Sequence, residues 1–179
     1  VRRHDLMYND FILVGPPEDP AGVHNYENIS EALSAIALEE KIFVSRGDHS
    51  GTHIKEMTLW KNANIDPLIH SGRGYRETGS GMGTTLNVAL GMRGYTITDR
   101  ATWISFKNKT DFLVLLEGSP ELFNQYGIIL VNPERHPHVN SKEGQKFIDW
   151  MISKNGQRAI AEYKRDGQQL FFPNASMIE

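Results

Sequence analysis

Short apolar runs and stretches of helical period alternate from one end of this chain to the other. That alternation is the pattern of a largely parallel sheet covered by helices, and it sets the fold class as α/β. Phe11-Ile12-Leu13-Val14 reads as a buried strand stopped by Gly15-Pro16-Pro17. The next helix starts near Asn28, whose side chain can cap it while Glu31 completes a capping box, with Ile29, Leu33 and Ile36 as its buried stripe. Lys41-Ile42-Phe43-Val44 is a second strand, and the helix after it carries Ile54, Met57 and Trp60 at helical spacing. A glycine-rich polar loop is expected from Asn62 to Gly83, then a helix from about Thr84 with Leu86, Ala89 and Leu90 on one face. Tyr95-Thr96-Ile97-Thr98 reads as a short strand and Asp99 to Phe106 as a helix. Leu113 to Leu116 and Gly127 to Val131 complete the strands. Two helices close the chain, one with Phe147, Trp150 and Met151, the other with Ile160 and Tyr163, and Gly156 marks the break between them.

With 179 residues, 39% of them hydrophobic, the chain can bury a core as one ordinary domain or two small lobes. The formal net charge of −3 gives no general attraction to nucleic acid or an anionic membrane. Any anion it binds has to be captured by local geometry, so loops and helix ends are the places to look. The absence of cysteine removes disulfides, thiolate metal sites and cysteine nucleophiles together and leaves the redox compartment open. No apolar run approaches the roughly 18 residues of a membrane span, so no direct membrane insertion is expected, and the amino terminus lacks the order of a signal peptide. The chain opens without Met in Val1-Arg2-Arg3-His4-Asp5 and is expected to be a piece of a longer protein.

Val44-Ser45-Arg46-Gly47-Asp48-His49-Ser50-Gly51-Thr52 carries the sharpest chemistry. A strand ends there, Arg46 supplies a permanent forked cation, and Ser50-Gly51-Thr52 supplies hydroxyls and N–H groups where a helix begins. The first N–H groups of a helix have no internal partner and carry partial positive charge, so an oxyanion placed there satisfies them, each good contact contributing on the order of 1 kcal/mol. Gly51 lets a ligand come close to the backbone. Asp48, two residues from Arg46, can hold the guanidinium in position from behind. The plain alternative is a Ser50 that only caps a helix and an Arg46 that lies on the surface. Gly79-Ser80-Gly81-Met82-Gly83-Thr84-Thr85 opens another helix but lacks a P-loop lysine and the dinucleotide glycine spacing. Thr98-Asp99-Arg100 is a third strand-to-helix junction, with Thr98 as its cap. Three such junctions are expected to converge at one edge of a sheet, where open α/β folds bind ligands.

Competing chemistries fit less well. His49 and His53 stand four apart and His136-Pro137-His138 adds two more, but no Glu sits between the first pair as a zinc protease helix requires, so no metal is expected. His53 is read as a surface or mouth residue. Gly-x-Ser-x-Gly does not occur, which leaves Ser50 with a nearby His as the sole nucleophile candidate. Arg46-Gly47-Asp48 matches an adhesion tripeptide by chance composition. The Asn-x-Ser/Thr triplets at Asn28, Asn108 and Asn174 decide nothing about compartment.

Met7-Tyr8-Asn9-Asp10-Phe11 with Val14-Gly15-Pro16, Ser45-Arg46-Gly47-Asp48-x-Ser50-Gly51-Thr52-His53, Tyr95-x-x-Thr98-Asp99-Arg100 and Asp166-Gly167-Gln168-Gln169-Leu170-Phe171-Phe172-Pro173-Asn174 resemble the tungstate-binding capture proteins of bacterial ABC importers. The resemblance runs end to end. It implies a type II periplasmic-binding fold of two α/β lobes with a mostly parallel sheet, a ligand of tungstate or molybdate, no cofactor, no catalysis, a membrane permease as partner, and a periplasmic or extracellular location. It also implies that the first lobe is incomplete here, because such proteins begin with a further segment that contributes donors. On this reading residues 1–12 are a hinge crossing and lobe-one remnant, 13–125 form lobe two, and 126–179 return with the carboxy-terminal helices. The resemblance assigns the anion to Arg46, Ser50, Gly51 and Thr52 with Asp48 behind them, and to Ser45 less directly, followed by Met82, Gly83 and Thr98. The alternative is an enzyme using the same loop to hold a phosphorylated substrate, for which His49 and His53 are the nearby bases.

Overall fold

The structure is a computed structural model in which residues 1–176 are described. Chain contacts divide it into two compact units: Asp10–Phe123, and Val1–Asn9 together with the chain from Asn124 onward.

The first of these holds the loops of interest. β1 (Arg3–Gly15) reaches well before the expected Phe11, and within this unit its residues Ile12, Leu13 and Val14 are wholly buried. Phe11 to Val14 pair antiparallel with β4 (Thr96–Asp99), and Leu13 to Gly15 with β5 (Leu113–Leu116). β2 (Phe43–Ser45) and β3 (Tyr75–Glu77) pair in parallel, Ser45 standing opposite Glu77. A parallel bridge from Phe43 to Tyr95 brings the β4 segment beside β2, and Val44 N–H donates to the Tyr95 carbonyl at 2.8 Å. β2, β3 and the β4 segment therefore run parallel, while β1, which also leads into a helix, is antiparallel to both β4 and β5.

α1 (Ile29–Leu38) starts at Asn28, whose side chain accepts from Ser30 N–H at 2.7 Å. Its inward face is Ile29, Ala32, Leu33, Ala35 and Ile36. α2 (Gly51–Asn62) departs from expectation in what it buries. Ile54 is 61% exposed, and the inward face is His53, Glu56, Leu59 and Trp60. Phe43, Trp60 and Tyr75 pack there as an aromatic group, Phe43 edge-on to Trp60 with centroids 5.1 Å apart. On the other face Val44, Ile12 and Val14 meet Met82, Leu86 and Ala89 of α3 (Met82–Met92). β3 lies inside the stretch expected to be loop, too short and too polar to give a period-two signal. α4 (Arg100–Ser105) is capped by Asp99, which accepts from Thr102 N–H at 2.9 Å, so Thr98 is a buried strand residue and not the cap.

In the second unit, Met7 and Tyr8 of β1 pair antiparallel with β9 (Phe172–Pro173), Tyr8 stacking on Phe172 at 5.3 Å. β6 (Phe123–Ile129) supplies another neighbour of β1, while β7 (Lys164–Arg165) and β8 (Gln168–Gln169) form a small ribbon. α5 (Ser141–Ile152) and α6 (Lys154–Glu162) pack on Leu6 through Ile148 and Ile152. The break between them falls at Ser153; Gly156 lies inside α6, where a Cβ would stand 2.2 Å from the Trp150 carbonyl oxygen.

Candidate functional site

The carboxyl ends of β2, β3 and β4 point the same way because the three run parallel, and each leads into a helix: β2 into α2, β3 into α3, β4 into α4. The loops after β2 and β3 are joined directly. Thr78 N–H donates to the Ser45 carbonyl at 3.0 Å, Ser80 N–H to the Arg46 carbonyl at 3.2 Å, and Thr78 Oγ1 to that same carbonyl at 3.2 Å.

Within the β2–α2 loop, Arg46 lies flat against Asp48. Its Nε and Nη2 donate to Asp48 Oδ2 at 3.1 and 2.5 Å, and the two side chains are 19% and 20% exposed. Asp48 Oδ1 accepts from Ser50 N–H at 3.1 Å. The Ser50 side chain, then the Arg46 guanidinium and the Ser50 N–H, hold the Asp48 carboxyl well below the usual carboxylate range despite some desolvation. Asp48 is thus a fixed anion that spends itself on its own loop. Arg46 keeps its Nη1 edge free of partners among the described residues.

Ser50 caps α2 by accepting from His53 N–H at 3.3 Å, and both of its own donors turn toward Asp48. The N–H groups of Gly51 and Thr52 open the helix, and Gly51 is exposed with nothing near the position of a Cβ. Ser45 is fully buried, and its hydroxyl donates to Glu56 Oε2 at 2.7 Å, so its hydrogen is directed into the core. His53 is 8% exposed, not a residue of the surface or mouth: its Nδ1 accepts the N–H of His49, which sits at φ +57°, at 3.0 Å. That bond places the ring proton on Nε2 and uses the histidine to close the loop. Among the described residues no cluster of His, Cys, Asp or Glu is suited to hold a metal ion.

The start of α3 differs from the other two. No side chain caps it: Gly81 stands at the cap, and Gly81 and Gly83 both face open space. Met82, at the first helical position, is buried, while the Gly83 backbone is exposed. Thr98 is fully buried, its Oγ1 bonded to the Asp99 carbonyl at 3.3 Å. Arg100 is not a second free cation, since Asp10 binds it at 2.7 and 2.6 Å and Glu117 at 2.6 Å. The structure therefore brings the strand ends bearing Arg46, Gly51, Thr52 and Gly83 to one edge, and turns the side chains of Ser45 and Thr98 inward. Sequence reasoning passed over Glu56, Thr78 and Ser80. The first could have been found by setting His53 and Glu56, three apart, against the competing apolar stripe.

A parallel sheet edge with helix starts and the Arg46 guanidinium has the donor chemistry an anion requires. The PBP superfamily domain matches residues 1–155. The chain belongs to the PBP superfamily. Among curated relatives, the tungstate-binding protein TupA of Peptoclostridium acidaminophilum is 42% identical over 98% of this chain and 62% of its own length. A putative ABC transporter anion-binding protein of Haloferax volcanii is 42% identical over 98% of this chain and 52% of its own length. The solved structure of the tungstate-binding protein TupA from Desulfovibrio alaskensis superposes with a TM-score of 0.83 at 43% identity, covering 98% of this chain and 71% of that one. The chain thus spans between half and two thirds of the length of these curated relatives.

Proposed function

We propose that this chain supplies one face of the oxyanion clamp of a solute-binding protein that captures tungstate, and its chemical twin molybdate, for import through an ABC permease in the periplasm or at the cell exterior. The observation that carries the reading is the free Nη1 edge of Arg46, on a loop whose backbone is bonded to the loop that leads into the uncapped start of α3, together with the open N–H groups of Gly51 and Thr52. A tetrahedral dianion takes hydrogen bonds from several directions, and neutral N–H donors plus one guanidinium supply them without overcompensating its charge. Ser50 contributes by capping, or by turning its hydroxyl from Asp48 to the ligand. Met82 and Gly83 contribute backbone N–H groups. The unit Asp10–Phe123 is the lobe that carries these donors, and the chain from Asn124 onward belongs with the other lobe. The names of the cited relatives, all binding proteins, favour capture over catalysis. The enzyme reading also loses one of its two nearby bases, because His53 Nδ1 already accepts from the His49 N–H.

Calorimetric titration of the full chain with tungstate, molybdate, sulfate and phosphate tests the proposal. Exothermic binding of tungstate and molybdate is expected, with Arg46→Ala weaker by a factor of roughly 10 to 100, the worth of one charge-assisted contact. Unchanged affinity in that variant would remove Arg46 and its loop from the site.

A further inference from the structure

Beneath the Arg46 turn lies a carboxylate that the binding reading leaves unused. Glu56 is 3% exposed and has no cationic partner among the described residues. Its Oε2 accepts from Ser45 Oγ at 2.7 Å and its Oε1 from Tyr75 OH at 2.7 Å. With its one hydrogen directed at Glu56, Ser45 Oγ presents a lone pair to the Gly47 N–H at 3.2 Å. Gly47 sits at φ +60°, packed so closely that a Cβ would lie 2.8 Å from Glu77 Cβ. The Arg46 carbonyl, on the other flank, is pinned by Ser80 N–H and Thr78 Oγ1.

We infer that Glu56 is a positioning residue of the oxyanion site: through Ser45 it holds the Gly47 amide, and so fixes the direction in which Arg46 leaves the strand. The inference rests on the reading of this loop as an oxyanion site. Two hydroxyls converge on one side chain here, one on each carboxyl oxygen, and the ionised carboxyl, the form that prevails above about pH 7, accepts from both. A glutamine accepts one and turns its NH₂ toward the other; an apolar residue leaves two buried hydroxyls unpaired. An apolar residue would suit the surrounding aromatic core better, so the cost of burying a carboxyl at this position calls for a return, and the geometry of the turn is that return.

The test compares the full-length wild type with Glu56→Gln, Ser45→Ala and the double variant, by tungstate calorimetry and by hydrogen exchange at the Gly47 amide. Each single substitution is expected to weaken tungstate binding roughly tenfold and to speed Gly47 exchange, and the double variant to be no weaker than either alone. Full affinity in Glu56→Gln with Gly47 still protected overturns the inference and leaves the binding reading intact. Additive losses in the double variant overturn it as well, because Glu56 would then not act through Ser45. If Glu56→Gln does not fold, Ser45→Ala decides: wild-type affinity there overturns the inference. A wild type that binds none of tungstate, molybdate and sulfate overturns the binding reading and this inference with it.

Discussion

Asp48 grips Arg46 from one side only: its Oδ2 takes Nε and Nη2 of the guanidinium, and its Oδ1 takes the N–H of Ser50. One carboxylate thereby orients the cation and closes the turn into α2. Asp48→Asn keeps the shape and removes the charge, freeing Arg46 to rotate. Oxyanion affinity is expected to fall roughly tenfold in calorimetry, with a much smaller change in thermal midpoint. Affinity equal to wild type would mean that Arg46 needs no such support.

Gly47 is the position in this loop that tolerates least. Its φ of +60° and the 2.8 Å gap to Glu77 Cβ leave no space for a methyl group. Gly47→Ala is expected to destabilise the protein by about 1 to 3 kcal/mol in urea titration and to weaken anion binding at the same time. By contrast Asn28→Ala, which removes the cap of α1, is expected to cost about 1 kcal/mol with anion affinity unchanged. The pair separates loss of stability from loss of the site.

Burial pushes the Glu56 carboxyl up from 4.5 to about 7, with Tyr75, Ser45 and Trp60 pulling the other way and the charge of Glu77 adding to the rise. The folded state therefore holds this proton more tightly than the unfolded chain does. The resulting stabilisation is complete below pH 4.5 and is lost as pH rises through about 7. Glutamine carries no charge at any pH, so the stability of Glu56→Gln relative to wild type should climb across that window. Denaturant melts at a series of pH values measure it; a flat difference would place Glu56 in a more solvated setting than its burial implies. Asp48, whose pKa is lowered, acts in the opposite sense, its contribution lost as pH falls below the usual carboxylate range, and it is common to both proteins.

What the sequence made legible follows from how local each signal is. The loop from Ser45 to Thr52 is legible because strand end, cation and helix cap are adjacent in the chain. The sequence puts the α4 cap one residue early because Thr98 and Asp99 are both good caps, and only the burial of Thr98 decides between them. Apolarity alone points Ile54 inward. The structure turns it out because Glu56 and His53 are bound by Tyr75, Ser45 and the His49 backbone, none of which is near in sequence except the last. β3 escaped for a similar reason: three residues, Tyr75 to Glu77, become a strand only through their pairing with β2, more than thirty positions earlier in the chain. Long-range partners set these features, and a single sequence does not record them.

The proposed function requires an oxyanion held where β2 and β3 end, between Arg46 and the starts of α2 and α3. Tungsten is an anomalous scatterer, so diffraction from crystals of the full chain grown with tungstate locates the ion without assumption. One strong anomalous peak is expected within hydrogen-bonding distance of Arg46 Nη1 and of the N–H groups around Gly51 and Gly83. A peak elsewhere on the molecule, with that edge empty, would contradict it.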